Sequence, residues 1–123
     1  MPYLTVYTNV DFGNSKELVE DSAKLISSTL SKPINYVVTN FIYNPNMSFG
    51  GSVSEKGALV ELLSIGLGDK DRLVADITSF LAKNLDIKNS QNINKVWIFS
   101  LLFWKYMLIC IVTLNIIPRK GLL

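Results

Sequence analysis

The chain contains no histidine and a single cysteine, Cys110. Without histidine it lacks the usual general base near neutral pH, the commonest zinc ligand and every mechanism built on a Ser-His or Cys-His pair. Any catalyst here must use another base. One cysteine cannot close an internal disulfide, so the fold owes nothing to an oxidising compartment. Charge is sparse at 18%, and no basic stripe with interleaved aromatics is present, which argues against nucleic acid as a partner. The opening Met1-Pro2-Tyr3-Leu4 lacks the basic region and apolar run of a signal peptide. The expectation is a cytoplasmic protein whose secreted form leaves by a leaderless route.

What is present is enough for one core: 123 residues, 49% of them hydrophobic, about the size of a single domain. The net charge of +2 conceals two segments. Residues 1–90 hold eight Lys/Arg against ten Asp/Glu, while residues 91–123 hold Lys95, Lys105, Arg119 and Lys120 and no acid.

Tyr3 to Thr8 alternates and is rich in β-branched and aromatic residues, which predicts a strand. Asn14 with Glu17 three positions on has the form of an N-cap and its capping-box partner, and Val19, Ala23, Ile26 and Leu30 follow at helical spacing. A helix is predicted from Ser15 to Leu30, ended by Lys32-Pro33 because the residue before proline leaves the α region. Asn35 to Tyr43 is a second β-rich run. After turn chemistry at Asn44-Pro45-Asn46 and Phe49-Gly50-Gly51-Ser52, Ala58 to Ile65 reads as a third strand. Asp69 then caps a second helix with Leu73, Ile77, Phe80, Leu81 and Leu85 on one face. Two β-α-β units within about 90 residues predict an α+β fold, with two pseudo-symmetric repeats placing two helices on one face of a four-stranded sheet.

Val96 to Ile117 is apolar apart from Ser100, Lys105, Thr113 and Asn115, a length that permits a membrane span. Its thirteen Leu, Ile, Phe and Val residues contribute roughly −4 to −8 kcal/mol on the insertion scale, and Lys105 near the centre opposes them by about +3 kcal/mol. The start of the run reads equally well as a fourth buried strand. The domain reading is therefore 1–100 as the folded unit and 101–123 as an atypical apolar tail, an alternative C-terminus or a membrane segment over 96–117.

Pro2 is the candidate base. An initiator methionine before so small a residue is normally removed, leaving a secondary amine whose reference pKa near 8 falls towards neutrality on burial beside an ammonium. The run Pro2-Tyr3-Leu4-Thr5-Val6-Tyr7-Thr8-Asn9-Val10, then Lys32-Pro33 with Tyr36-Val37-Val38, Met47-Ser48-Phe49-Gly50-Gly51-Ser52 and Ser64-Ile65-Gly66 resembles the macrophage migration inhibitory factor family of the tautomerase superfamily. The resemblance implies a keto-enol isomerase acting on phenylpyruvate-like and dopachrome-like substrates, a trimer, and cytokine-like activity through a cell-surface receptor. It makes Pro2 the catalytic base, Lys32 the group that binds the substrate carboxylate or carbonyl oxygen and depresses the proline pKa, and Ile65 a backbone group and apolar wall against the substrate ring.

The residues also set limits on the resemblance. Lys56-Gly57-Ala58-Leu59-Val60 has no Cys-x-x-Cys for thiol redox chemistry. Gly50-Gly51 lacks the frame of a phosphate loop, so no nucleotide is implied, and the chain calls for no cofactor or metal. Asn46-Met47-Ser48 has the form of a glycosylation sequon and reads as loop. After Ser90 the family's last strand and tail have no clean counterpart; a gapped pairing sets Lys95-Val96-Trp97-Ile98-Phe99 on the family's fourth strand, with Trp97 and Phe99 near its Tyr and Asn pocket positions. Because that segment joins subunits in the family, its replacement weakens the expectation of a trimer. The alternative function is a catalytically inactive binding module or a tail-anchored membrane protein.

Overall fold

The computed structural model describes residues 2–66, 69–86, 93–103 and 107–116. The elements run in the order β1 (Tyr3–Thr8), α1 (Lys16–Leu30), a short 3-10 turn (Ile34–Tyr36), β2 (Val38–Tyr43), β3 (Ala58–Ile65), α2 (Lys70–Asn84), β4 (Ile93–Phe103) and β5 (Met107–Ile116). One mixed sheet has the order β2-β1-β3-β5-β4. β1 pairs in parallel with β2 and antiparallel with β3, and both helices lie against one face.

The core explains this arrangement. Alternation along β1 and β3 turns Leu4, Val6, Ala58, Val60 and Leu62 to the helices, where they meet Leu18 and Ile26 of α1 and Leu73, Ile77 and Leu81 of α2, all buried. On β1, β3 and α2 these are the apolar sets of the sequence; on α1 the buried face runs through Leu18, Ser22 and Ile26, so of the predicted stripe Val19, Ala23, Ile26 and Leu30 only Ile26 is fully buried. Each element forms because it has one face to bury. Thr29 Oγ1 donates to Asp76 Oδ2 at 2.9 Å, which ties α1 to α2 beside the apolar contact, and Arg72 Nε, on α2 itself, lies 3.6 Å from the same oxygen.

The caps follow the sequence in one helix and shift by a residue in the other. Asp69 accepts from the backbone N–H groups of Asp71 and Arg72 at 3.1 and 3.2 Å, as its position predicts. At α1 the cap is Ser15, whose Oγ accepts from Leu18 N–H at 3.1 Å, and not Asn14. With the cap moved to Ser15, the residue three positions on is Leu18, so no capping box forms.

The α+β fold with two helices on one face is as read from the sequence, and the sheet carries five strands instead of four. The added strand is β5, drawn from the run assigned to the apolar tail. It pairs antiparallel with β3 along Ala58–Ile65 and with β4 on its other side. The two halves of this apolar run pair with each other, which makes β5 an interior strand with its backbone groups paired on both sides and leaves β4 at the edge of the sheet. Among the described residues no helix is long and apolar enough to cross a membrane. Lys105, Arg119 and Lys120, which bear on the membrane reading, lie outside the described residues.

Candidate active site

Pro2 is buried at the entry to β1, and its carbonyl accepts a hydrogen bond from Val38 N–H at 2.9 Å. The β1 register sets Tyr3 opposite Val38 on one side and Leu63 on the other. Continued by one residue, it brings Pro2 between Val37 and Ser64, one position short of Ile65.

Lys32 reaches the same end through the β-α-β crossover. A helix between parallel strands must run back along the sheet, so the C-terminus of α1 returns to the level where β1 began. There Ser31 adopts the left-handed conformation (φ 53°). The N–H groups of Ser31 and Lys32 donate to the carbonyls of Ser28 and Ser27 at 3.3 and 3.0 Å, the paired closure of a Schellman motif. Ser27 Oγ donates to the Lys32 carbonyl at 2.5 Å. The Lys32 backbone is thus fixed while its half-buried side chain makes no ion pair among the described residues. Ile65 ends β3, 43% exposed, beside the buried Ser64.

Pro2, Lys32 and Ile65 therefore gather at one end of the sheet. The same end holds exposed apolar side chains that the sequence reading did not single out as site residues: Ile34 and Tyr36, 50% and 55% exposed, on the turn between Lys32 and β2. Their signal was an apolar and an aromatic residue placed directly after Lys32-Pro33 where no core periodicity required them. Trp97 and Phe99, set by the gapped pairing near the family's pocket positions, lie on β4. They oppose Thr113 and Ile111 of β5, and β5 and β3 stand between β4 and β1.

Among the described residues, three open clefts lie around the opposite end of β1. One of about 470 Å³ runs past Asp11, Phe12 and Asn84, one of about 340 Å³ past Gly13 and Phe41, and one of about 350 Å³ past Tyr43 and Val53. No cluster of three or more metal-ligating side chains occurs among the described residues.

The fold is the α+β arrangement of the tautomerase class, two helices on one face of a mixed sheet. The sequence pattern of the macrophage migration inhibitory factor family matches residues 1–100, and the chain belongs to that family. Among solved structures it is similar to the macrophage migration inhibitory factor-like protein of Entamoeba histolytica, with 26% identity and a TM-score of 0.63 over 70% of this chain and 77% of that one. It is also similar to the macrophage migration inhibitory factor of Giardia lamblia, with 25% identity and a TM-score of 0.58 over 71% and 88%. The factor from Trichinella spiralis shares the fold at 22% identity and a TM-score of 0.59 over 86% and 98%. No curated protein matches the chain by sequence. Family membership places the chain among isomerase-type enzymes.

Proposed function

We propose that the chain is a keto-enol tautomerase of phenylpyruvate-like and dopachrome-like substrates, with Pro2 as its base once Met1 is removed, and that it carries cytokine-like activity. The observation that carries this reading is the gathering of Pro2, Lys32 and Ile65 at one end of the sheet by three different elements. A secondary amine in that position takes the proton from the carbon α to the carbonyl. The electrons of the broken C–H bond pass into the enolate, and the Lys32 ammonium stabilises the oxygen that becomes negative. Return of the proton to the other end of the conjugated system completes the isomerisation without a cofactor. Ile65, with Ile34 and Tyr36 at the same end of the sheet, offers the apolar surface that an aromatic ring needs.

The test is interconversion of the keto and enol forms of phenylpyruvate by the purified protein, with its N-terminus checked by mass. Turnover that disappears in Pro2→Gly supports the reading, and turnover unchanged in that variant removes it.

A further inference from the structure

Ser27 and Lys32 close a ring at the end of α1. The Lys32 N–H donates to the Ser27 carbonyl at 3.0 Å, and the Ser27 hydroxyl donates back to the Lys32 carbonyl at 2.5 Å. The first bond belongs to the helix stop, and any residue at position 27 supplies that carbonyl. The second needs the serine. A serine inside a helix ordinarily turns its hydroxyl back to a carbonyl one turn earlier, as Ser22 does towards Val19 O at 2.6 Å. Ser27 reaches forward instead, five residues on and out of the helix. With its N–H and its carbonyl both held, Lys32 is restrained at both backbone dihedrals. This holds although Ser31 before it stands in the left-handed region at φ 53°, where a residue with a side chain is strained.

We propose that Ser27 is a positioning residue of the candidate site: its hydroxyl sets where the Lys32 ammonium stands relative to Pro2, and so how tightly a keto-acid substrate is held. The inference rests on the tautomerase reading, in which Lys32 binds the substrate carboxylate or carbonyl oxygen. A chain of backbone hydrogen bonds links the ring to the base. Pro33 O accepts from Tyr36 N–H and Ile34 O from Val37 N–H, both at 3.0 Å, and Val38 N–H donates to the Pro2 carbonyl at 2.9 Å. Lys32 and Pro2 thus lie at the two ends of one held segment, and the Ser27 hydroxyl fixes the end that carries the cation. A lysine ammonium sits on a flexible four-carbon stem, so the volume it samples is smallest when the direction of its Cα–Cβ bond is fixed. Loss of the hydroxyl frees the Lys32 carbonyl and lets that direction swing, while the helix keeps its backbone bonds. Ser27 acts through Lys32 and not on the substrate.

Steady-state phenylpyruvate kinetics of the full chain as wild type, Ser27→Ala, Lys32→Ala and the double variant test the inference. Alanine is a better helix former than serine, so Ser27→Ala keeps the fold, which far-ultraviolet circular dichroism checks. One hydrogen bond is worth about a twofold to tenfold change in an equilibrium, and Ser27→Ala is expected to raise KM by that factor with little change in kcat. Ser27→Thr, which keeps the hydroxyl, is expected to restore the wild-type KM. In the Lys32→Ala chain the same alanine substitution is expected to change nothing, because no ammonium is left to place. A purely structural role would act in both backgrounds. An unchanged KM in Ser27→Ala, or a rise of the same size with and without Lys32, overturns the inference. Failure of the tautomerase reading looks different: the wild-type chain itself shows no turnover, and the role of Ser27 falls with it.

Discussion

The N–H of Val38 donates to the carbonyl of Pro2 at 2.9 Å, so the residue proposed as the base is bound through its own backbone to the strand that follows Lys32. Holding the carbonyl fixes the ring next to it. The nitrogen of the mature N-terminus is then presented at a defined place beside the C-terminus of α1, which is what a proton transfer at one carbon requires.

Activity is the first consequence. Pro2→Gly, or retention of Met1, is expected to lower phenylpyruvate turnover by orders of magnitude, since each converts or blocks the secondary amine. Lys32→Ala is expected to raise KM for the keto acid more than it lowers kcat, and to move the rising limb of the rate against pH to higher pH, because an ammonium near the amine favours its unprotonated form. Steady-state kinetics between pH 5 and about 9 separate these effects, bracketing the reference α-amino pKa of about 8.

The backbone beside Lys32 gives a stability test that leaves chemistry alone. Ser31 holds φ 53° with a side chain, a conformation that costs an L-residue about 1 kcal/mol and glycine almost nothing. Ser31→Gly is expected to stabilise the fold by about 0.5–1 kcal/mol with turnover unchanged, as read by urea unfolding and the phenylpyruvate assay together. A loss of stability would mean that the Ser31 side chain contributes more than its backbone strain removes.

Gly57 is fixed by a close approach. A Cβ there would lie 2.6 Å from Cγ of Phe49, whose ring is buried at 5% exposure and cannot move aside freely. The same residue accepts from Thr8 Oγ1 at 2.7 Å and donates to Asn9 Oδ1 at 3.1 Å, so its backbone is held as well. Gly57→Ala is expected to destabilise by about 1–3 kcal/mol through overpacking. A thermal melt would register this as a fall of several degrees, and an unchanged melt would show that Phe49 repacks.

Most elements within residues 3–65 were legible in the sequence because each has an apolar face with the right period and a recognisable stop; the run read as β-rich from Asn35 is the exception, since Ile34–Tyr36 forms a 3-10 turn and the strand begins only at Val38. The strand Ala58–Ile65 and the end of α1 at Leu30 fall where alternation and the Lys32-Pro33 breaker put them. The cap of α1 was misplaced because Asn14 and Ser15 are both good caps, and which one serves depends on where the chain arrives from Gly13. The candidate residues Pro2 and Lys32 were legible through their resemblance to a family. The side chains of Ile34 and Tyr36 were not, because a short 3-10 turn has no periodicity to reveal which way they face. Past Ser90 the apolar run satisfies strand and membrane-helix patterns alike, and only pairing partners distant in sequence decide between them.

The last prediction uses that pairing. Thr113 lies in β5 between Glu61 of β3 and Trp97 of β4, so β5 is an interior strand whose amide groups serve the ladder. Proline there removes a donor and forces its ring into a neighbouring strand, a change tolerated at sheet edges and in free tails but not in a central strand. Thr113→Pro is therefore expected to destabilise the folded unit by about 3 kcal/mol and to lower the unfolding midpoint in urea. The Leu4, Val6 and Val60 core would report the same transition, because β5 covers the edge of the strand that carries Val60. A tail that stood apart from the sheet would leave the midpoint of Thr113→Pro where it is in the wild-type chain, and that result would detach residues 107–116 from the fold.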